Sequence, residues 1–307
     1  MTTKPRLLEC DIAVLDLDRT LESGQVFRWK RDGDGWWVGL LEPSRTALRI
    51  RQTVGGIQIA PGSAADAEER LREYFRLGDN FDEHEATWRE SAGPEIVTAL
   101  DMSPGLRLIR QDPVECLFSF LTSAAAPIHR IRRCMGGLSS TLGEPWGMLG
   151  DMDLNAFPSV ELLAATPREV YDSLGFGFRG GYIREAAGQI LERGGAAWVR
   201  GLRELPYETA KAELMQLTGI GEKIADCVCL FSLDNDEAVP IDVHMARVAR
   251  ELFDGVPKSL TPKAYATVAA LYRERFGPKA GWAQQYLYYA QIEKAGIWDD
   301  ALGRHRK

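Results

Sequence analysis

Apolar residues recur with a helical period on both sides of a short, glycine-containing turn in the second half of the chain. Two runs have the i, i+4, i+7 spacing of one helix face, Ala210, Leu214 and Leu217 followed by Ile224, Val228 and Phe231. The segment between the runs is too short for anything but a tight turn, so the two helices must pack as a hairpin. The pattern therefore predicts a helix-hairpin-helix over about residues 206–233.

The N-terminal part of the chain has a different pattern, which is typical of strands. Over residues 10–60, β-favouring residues alternate with polar ones, and the alternation breaks at the glycine-containing segments 32–35 and 54–56. Short alternating runs divided by such breaks predict antiparallel hairpins, which we expect to form a twisted sheet. Helical spacing follows over residues 66–77, so a helix is expected to cover the sheet.

After Pro104 the pattern is almost wholly helical, with short segments separated by glycine and proline breaks. At 307 residues the chain exceeds a typical single domain, so two domains and an α+β fold are expected. Residues 1–104 would form an antiparallel sheet domain with covering helices. Residues 105–307 would form an all-α bundle that contains the hairpin.

Charge is distributed unevenly between these two regions, which bears on nucleic-acid binding. The whole chain has a net charge of −7. Residues 1–104 hold 13 Lys and Arg against 19 Asp and Glu, whereas residues 105–307 hold 24 against 25. The acidic excess therefore lies outside the hairpin region. Any binding to DNA would depend on a local basic surface and would weaken as salt increases.

The composition indicates an ordinary globular protein. No apolar run approaches the length of a membrane span, and residues 1–10 lack the hydrophobic core of a signal peptide, so a cytoplasmic protein without a membrane partner is expected. The five cysteines, at positions 10, 116, 134, 227 and 229, show neither a disulfide nor a zinc pattern. We expect a monomer with no metal and no cofactor.

The turn of the predicted hairpin contains two glycines, Gly219 and Gly221. Both can adopt positive φ angles without a steric penalty, which would let successive backbone N–H groups converge at the start of the second helix. Such a cluster of donors binds phosphate and would hold a nucleic-acid strand without reading its sequence. The alternative is an ordinary turn between two packed helices.

Lys223 is the candidate nucleophile. It lies in the first turn of a mostly apolar helix, where the positive end of the helix and the loss of solvent both disfavour an ammonium group. A neutral amine can attack C1′ of a sugar, or a carbonyl, and form a Schiff base. The alternatives are a solvated surface lysine and a simple phosphate contact. Cys227, one helical turn further on, is either a modulator of the Lys223 charge or a small core residue.

Asp242 is the candidate partner of this amine. It follows Pro240 and Ile241 and precedes a third helix with apolar residues on one face, so we expect it to cap that helix. A carboxylate at that position could also stabilise the oxocarbenium ion that develops when a glycosidic bond breaks. The two roles are compatible.

Residues 175–182 form a glycine-rich segment with Phe178 and Arg179 at its centre. In one interpretation, Phe178 fills an interhelical turn as a hydrophobic plug. In the other, Phe178 is a wedge that enters the base stack and kinks a duplex, while Arg179 contacts the orphaned base or the backbone.

Several ordered motifs resemble one family. Residues 219–227, GIGEKIADC, are followed after a gap by VPIDVHM at residues 239–245, and segments 23–29, 110–120 and 281–284 echo the same proteins. Together they resemble the 8-oxoguanine DNA glycosylase/AP lyases of the helix-hairpin-helix glycosylase superfamily. The resemblance covers nearly the whole chain and implies an N-terminal antiparallel sheet domain, similar to the TATA-binding protein, ahead of the helical glycosylase domain. The chain lacks the four-cysteine run that holds an iron–sulfur cluster in the related endonuclease III and adenine glycosylases.

The resemblance also implies roles for individual residues. The carbonyl of Gly24 would accept the N7–H of the oxidised guanine, a proton that normal guanine lacks. Gln284 would bind the Watson–Crick edge of the extruded base. Tyr288, which stands where Phe is usual, and Cys227 would stack on the two faces of that base. His244 would contact a phosphate near the lesion.

Arg130 and the loop before it would, by the same resemblance, occupy the space left by the extruded base and contact the orphaned cytosine. Here the sequence departs from the family, because Ala125, Ala126 and Pro127 stand in place of a run of asparagines. An alanine side chain neither donates nor accepts a hydrogen bond, so the preference for cytosine opposite the lesion is expected to be less strict.

These inferences predict a bifunctional enzyme of base-excision repair. It would bind double-stranded DNA that contains an oxidised purine, excise the extruded 8-oxoguanine with Lys223 and Asp242, and cleave the abasic strand by β-elimination from a Lys223 Schiff base. It would be associated with the nucleoid in a bacterium and nuclear in a eukaryote. The nearest alternative is a monofunctional alkylpurine DNA glycosylase in which Asp242 activates water. A non-catalytic DNA-binding module that uses only the hairpin is another.

Overall fold

The computed structural model describes residues 4–124 and 126–295, and its elements are numbered in chain order. The strands are β1 (Arg6–Glu9), β2 (Lys30–Arg31), β3 (Trp37–Leu41), β4 (Thr46–Thr53), β5 (Gly56–Ile59), β6 (Pro145–Leu149) and β7 (Met152–Asn155). The α-helices are α1 (Leu17–Glu22), α2 (Ala67–Tyr74), α3 (Asp82–Ser91), α4 (Pro94–Met102), α5 (Pro113–Thr122), α6 (Ile128–Leu142), α7 (Val160–Ala165), α8 (Arg168–Ser173), α9 (Phe178–Glu192), α10 (Ala196–Gly201), α11 (Tyr207–Leu214), α12 (Glu222–Ser232), α13 (Val243–Leu252), α14 (Pro262–Phe276) and α15 (Ala280–Lys294). Two 3-10 helices are also present, Leu202–Glu204 and Gly277–Lys279. Within the described ranges, no helix has the length and apolar character needed to cross a lipid bilayer.

The described residues group into two compact units that interleave along the chain. The first, which we call the sheet unit, comprises residues 4–78, 105–124, 126–202 and 217–219, and the second, the hairpin unit, comprises residues 79–104, 203–216 and 220–295. Residues 79–104 belong to the hairpin unit because their aromatic side chains pack on its last helices. Phe81 stacks on Trp282 with ring centroids 4.9 Å apart, and the indole of Trp88 donates to the carbonyl of Phe276 at 3.0 Å. The sequence domains 1–104 and 105–307 stay a prediction.

Strands β1 to β5 form the antiparallel sheet of the sheet unit, in the order β1-β5-β4-β3-β2. On β4, Ile50 pairs with Ile59 of β5 and with Trp37 of β3. Both isoleucines are fully buried, and so are Leu71 of α2 and Phe75 at its C-cap, which belong to the same core. Burial of side chains of this size contributes about 1.5–3 kcal/mol each. The predicted antiparallel hairpins and their covering helix are confirmed.

Helix α1 interrupts the segment that was expected to consist of hairpins. Its N-cap is Asp16, whose Oδ1 accepts the backbone N–H of Arg19 at 3.0 Å. Leu17 and Leu21 are both buried. An aspartate followed by two leucines four residues apart was therefore a local helix signal within the strand-like pattern.

The expectation of an almost wholly helical chain after Pro104 is wrong in one place, because β6 and β7 form a two-stranded antiparallel sheet. Pro145 has no N–H to donate within a helix. Gly147 and Gly150 have φ angles of +119° and +66°, which suit the irregular pairing and the tight turn of this hairpin. The fold class is α+β, as predicted.

Helices α11 and α12 form the predicted helix hairpin within the hairpin unit. Ala210 and Leu214 of α11 are buried, as are Ile224, Val228 and Phe231 of α12. The apolar periodicity of the sequence therefore corresponds to the faces that pack. The hairpin prediction is confirmed.

Candidate active site

Helix α12 presents Lys223 in its first turn. The helix begins at Glu222, and its N-cap, Gly221, has no side chain with which to cap it. Every residue from 224 to 232 is buried, whereas Lys223 is only partly buried. The amine therefore lies at the edge of a buried helix, near the backbone N–H groups that lack a helical partner at its N-terminus.

Cys227 lies one helical turn beyond Lys223 and is 2% exposed. Burial raises the pKa of its thiol to about 12. The Lys223 amine, which lies within hydrogen-bonding reach of the sulfur, lowers the same pKa by a smaller amount. The thiol is therefore protonated at neutral pH and interacts with Lys223 as a neutral dipole. The Asp242 carboxylate also lies close enough to raise the pKa of this thiol. The amine and the carboxylate predicted to act together thus lie near the same sulfur.

Asp242 caps helix α13, and this prediction is confirmed. Its Oδ1 accepts hydrogen bonds from the backbone N–H groups of His244 and Met245, both at 2.9 Å. The two bonds hold the carboxylate in one orientation. Its Oδ2 makes no hydrogen bond to any residue that the structure describes. That oxygen is available to stabilise a cation.

Three residues expected to bind the lesion or its phosphate lie in the same unit as this carboxylate. Burial raises the pKa of the Tyr288 hydroxyl, with smaller contributions from Asp242 and Cys227, and the Tyr288 ring meets that of His244 edge-on at 6.4 Å. Gln284, one turn before Tyr288 on α15, is 3% exposed. Its Oε1 and the Nδ1 of His244 are buried and have no hydrogen-bond partner among the described residues. An unpaired buried polar atom costs about 1–3 kcal/mol, so both atoms are candidates for a contact with a ligand.

The hairpin turn gives its two glycines different conformations. Gly219 has a φ of +82°, and a Cβ there would lie 2.8 Å from the ring of Tyr182 and 2.9 Å from Cδ1 of Leu121. Glycine is therefore required on both conformational and steric grounds. Gly221 has an ordinary extended backbone with a φ of −101°, so only Gly219 uses the positive φ that both glycines could adopt. A Cβ at Gly221 would meet nothing within 4 Å, which leaves the N-terminus of α12 open to close approach.

The glycine-rich loop contains two phenylalanines in opposite environments. Phe176 is fully buried and packs edge-on against Tyr171 with ring centroids 5.7 Å apart, so it fills the interior of this turn. Phe178, the first residue of α9, is 51% exposed. The interpretation of Phe178 as a hydrophobic plug is therefore wrong. Its exposure is consistent with a wedge.

Tyr182 is a residue that the sequence interpretation missed. Its ring contacts that of Phe178 edge-on, with centroids 5.7 Å apart, and packs directly against Gly219. The available signal was the i, i+4 spacing of two aromatic residues at the start of α9, which puts them on one helix face. Tyr182 therefore supports the exposed Phe178 and connects it to the hairpin turn.

The two arginines predicted to contact DNA both bond to loop carbonyls. Arg179 is 3% exposed and donates from Nε to the carbonyl of Ala124 at 2.6 Å. In this conformation the guanidinium is buried and stabilises the loop before α6. It is therefore not exposed for the expected contact with an orphaned base. Arg130 donates from Nη2 to the carbonyl of Gly175 at 2.8 Å but stays partly exposed, so further donors can reach a ligand. Ala125, in the loop that departs from the family, lies outside the described residues.

Gly24 lies in the sheet unit and has a φ of +81°. It is partly exposed, whereas the other residues from 20 to 27 are buried. The neighbouring Gln25 is fully buried, donates to the carbonyl of Arg107 at 2.7 Å and accepts the N–H of Ile109 at 3.0 Å. The backbone around Gly24 is therefore held firmly, with the glycine as its accessible point.

The fold and this site define an α+β protein with a helix-hairpin-helix and a lysine–aspartate pair. Comparison with known proteins finds relatives of the same class. Residues 7–117 match the family described as 8-oxoguanine DNA glycosylase, N-terminal domain. The chain is 32% identical to the N-glycosylase/DNA lyase OGG1 of Arabidopsis thaliana, over 91% of this chain and 78% of that protein. It is 28% identical to the N-glycosylase/DNA lyase of Saccharomyces cerevisiae, over 91% and 84%.

A solved structure of Clostridium acetobutylicum 8-oxoguanine glycosylase/lyase, in complex with double-stranded DNA containing cytosine opposite 8-oxoG, has the same fold. It matches with a TM-score of 0.81 at 26% identity, over 92% of this chain and 93% of that one. The chain belongs to the OGG1 family of N-glycosylase/DNA lyases, as its sequence motifs indicated.

Proposed function

We propose that this protein is a bifunctional DNA glycosylase and AP lyase that excises 8-oxoguanine from double-stranded DNA. The observation that carries the proposal is the placement of a partly buried Lys223 in the first turn of α12 and of a carboxylate fixed by two N-cap hydrogen bonds at Asp242, both of which influence the buried Cys227 thiol. A nucleophilic amine and a carboxylate whose Oδ2 has no hydrogen-bond partner in the described part of the chain suit the cleavage of a glycosidic bond. Family membership supports the same activity. The enzyme would act where the DNA is, in the cytoplasm and nucleoid or in the nucleus.

The reaction starts when the amine of Lys223 attacks C1′ of the extruded nucleotide. The bond between C1′ and the base breaks, its electron pair leaves with the base, and the base takes up a proton. Asp242 stabilises the positive charge that develops on the sugar. One amine proton passes to the departing base. The C1′–O4′ bond then breaks, O4′ takes up a proton from water, and the nitrogen lone pair forms a protonated Schiff base. This makes the 2′ proton acidic enough to be removed as the 3′ phosphate leaves by β-elimination.

The surroundings of the pair suit a guanine-type base. The Watson–Crick edge of guanine presents N–H donors, and the Oε1 of Gln284, which has no partner among the described residues, is an acceptor. Tyr288 and Cys227 would stack on the two faces of the base. Independently of these surroundings, the family resemblance gives the carbonyl of Gly24, in the sheet unit, the role of accepting the N7–H that distinguishes 8-oxoguanine from guanine. The unpaired Nδ1 of His244 would bind a phosphate oxygen near the lesion.

DNA would be held by the hairpin and distorted by the wedge. The N–H groups at Gly219, Gly221 and the start of α12 would bind phosphate. Arg130 would approach the orphaned base from α6. Arg179 would act indirectly, because it supports the loop that precedes α6.

Phe178→Ala is expected to impair extrusion without affecting folding. The ring is half exposed, so its loss should change the free energy of unfolding by less than about 0.5 kcal/mol. Stacking on a base contributes roughly 1–3 kcal/mol, so binding to lesion-containing duplex should weaken by about that amount. Fluorescence anisotropy on duplex DNA measures this effect, and Phe178→Tyr, which keeps the ring, serves as the control. Unchanged binding by the alanine variant would exclude the wedge.

Single-turnover excision of 8-oxoguanine opposite each of the four bases is the direct test of the proposed function. We expect excision in at least the duplex with cytosine, and a weak dependence on the opposite base, because Ala126 and Pro127 have no side-chain amide with which to read it. Absence of 8-oxoguanine excision from all four duplexes, with release of an alkylated purine instead, would replace the proposal by the alkylpurine alternative.

A further inference from the structure

A buried polar cluster in the hairpin unit is not used by the proposed reaction. Asp226, on α12, is 0% exposed. Its carboxylate accepts hydrogen bonds from the hydroxyl of Tyr207 at 2.7 Å, the hydroxyl of Tyr265 at 2.6 Å and Nζ of Lys211 at 3.1 Å. Burial raises the pKa of Asp226, and the Lys211 ammonium together with both hydroxyls opposes that rise. Three donors on one carboxylate offset part of the cost of burying it in the core.

The hydroxyl of Tyr265 makes a second contact, with the segment that leads into Asp242. It lies 3.2 Å from the backbone nitrogen of Ile241 and 3.2 Å from the carbonyl oxygen of Val239. A tyrosine hydroxyl has one proton, and the shorter distance assigns it to Asp226. The hydroxyl oxygen therefore accepts the N–H of Ile241. A continuous hydrogen-bonded chain runs from Ile241 through Tyr265 to Asp226.

We propose that Tyr265 is a positioning residue that holds Asp242 in register with Lys223. Asp226 is three residues beyond Lys223 on α12, and Ile241 immediately precedes Asp242. The hydrogen-bonded chain therefore joins the backbone beside the carboxylate to the helix that carries the amine. The N-cap bonds of Asp242 orient its carboxylate, whereas Tyr265 fixes where its backbone lies. This inference rests on the proposed function.

Tyr207 provides a matched control. It is buried, as Tyr265 is, and donates to the other oxygen of the same Asp226 carboxylate. Its hydroxyl contacts neither Ile241 nor Asp242 within the described residues. Replacement of either tyrosine by phenylalanine keeps the ring and removes one donor to Asp226. Both variants should therefore lose thermal stability to a similar extent, but only Tyr265→Phe breaks the connection to Ile241.

Single-turnover excision separates positioning from stability. Tyr265→Phe is expected to slow 8-oxoguanine excision by about 10-fold or more, since small displacements of a reacting group are costly. Tyr207→Phe should excise at close to the wild-type rate despite a similarly lowered melting temperature. Borohydride trapping on a preformed abasic duplex should be retained in Tyr265→Phe. Schiff-base formation on an abasic site needs the Lys223 amine, but the base has already left. Wild-type excision by Tyr265→Phe, or equal losses in the two variants, would overturn the proposal.

Hydrogen exchange at the Ile241 amide gives a readout that does not depend on activity. We expect faster exchange in Tyr265→Phe than in either the wild type or Tyr207→Phe. Unchanged exchange in Tyr265→Phe would show that no such link exists and would overturn the proposal. A wild-type protein that excises no 8-oxoguanine would instead overturn the proposed function, and faster exchange confined to Tyr265→Phe would still support the link.

Discussion

Lys223→Gln is expected to eliminate covalent trapping of the protein on lesion-containing DNA. Borohydride reduces a Schiff base to a stable amine, so the wild-type protein should form an adduct that survives a denaturing gel. Glutamine has a similar length but a non-nucleophilic amide, so no Schiff base can form at residue 223. Trapping and strand cleavage by β-elimination should both disappear.

Lys263→Gln is the matched control for this experiment. Lys263 is the second residue of α14, as Lys223 is the second residue of α12, and it is exposed. Trapping by Lys263→Gln should equal that of the wild type. An adduct that persists in Lys223→Gln would assign the nucleophile to another amine. Base excision by a wild-type protein that never forms an adduct would favour the monofunctional alternative, in which Asp242 activates water.

Asp242→Asn is expected to lower the rate of base excision by roughly 10²–10³-fold, the effect of removing one preorganised electrostatic contact from a transition state. The asparagine Oδ1 can accept the same two hydrogen bonds from His244 and Met245, so the cap of α13 and the fold should be retained. The substitution removes the negative charge that faces the developing cation. Single-turnover kinetics measure the loss, and the affinity for DNA and the melting temperature should change little.

Asp16→Asn controls for a generic effect of replacing a helix cap. Asp16 caps α1 by accepting the N–H of Arg19, and asparagine can preserve that bond. Excision by Asp16→Asn should therefore match the wild type. If Asp242→Asn also excised at the wild-type rate, Asp242 would be only a cap, and its proposed role in stabilising the developing cation would be excluded.

Local patterns were sufficient to locate much of the candidate site. The periodicity of α11 and α12 identified the hairpin, and the aspartate before an apolar helix identified the cap at Asp242. Both depend on residues within a few positions of each other, and backbone geometry links such residues directly. The family resemblance then supplied Gly24, Gln284 and Tyr288, whose proposed roles no local pattern would indicate.

Other features depend on contacts between residues far apart in the chain. Phe176 and Phe178 are alike in sequence context, and only the packing of the loop determines that the first is buried and the second exposed. Arg179 was expected to contact DNA because it lies beside Phe178 in a glycine-rich segment, yet its guanidinium is buried and donates to the carbonyl of Ala124. The β6–β7 hairpin was not predicted for a similar reason. Strand pairing brings together residues that are not related by a helical period.

The sequence by itself determined the fold class, the hairpin, the candidate amine and the capping carboxylate, because helical periodicity and N-cap preference are properties of short segments. Only the tertiary structure decided that Lys223 and Asp242 lie near the same buried Cys227 and that Tyr265 connects Asp226 to Ile241. The positions of Asp242 and Tyr265 relative to α12 join segments that are far apart in the chain, and the burial that strengthens these contacts exists only once the chain has packed.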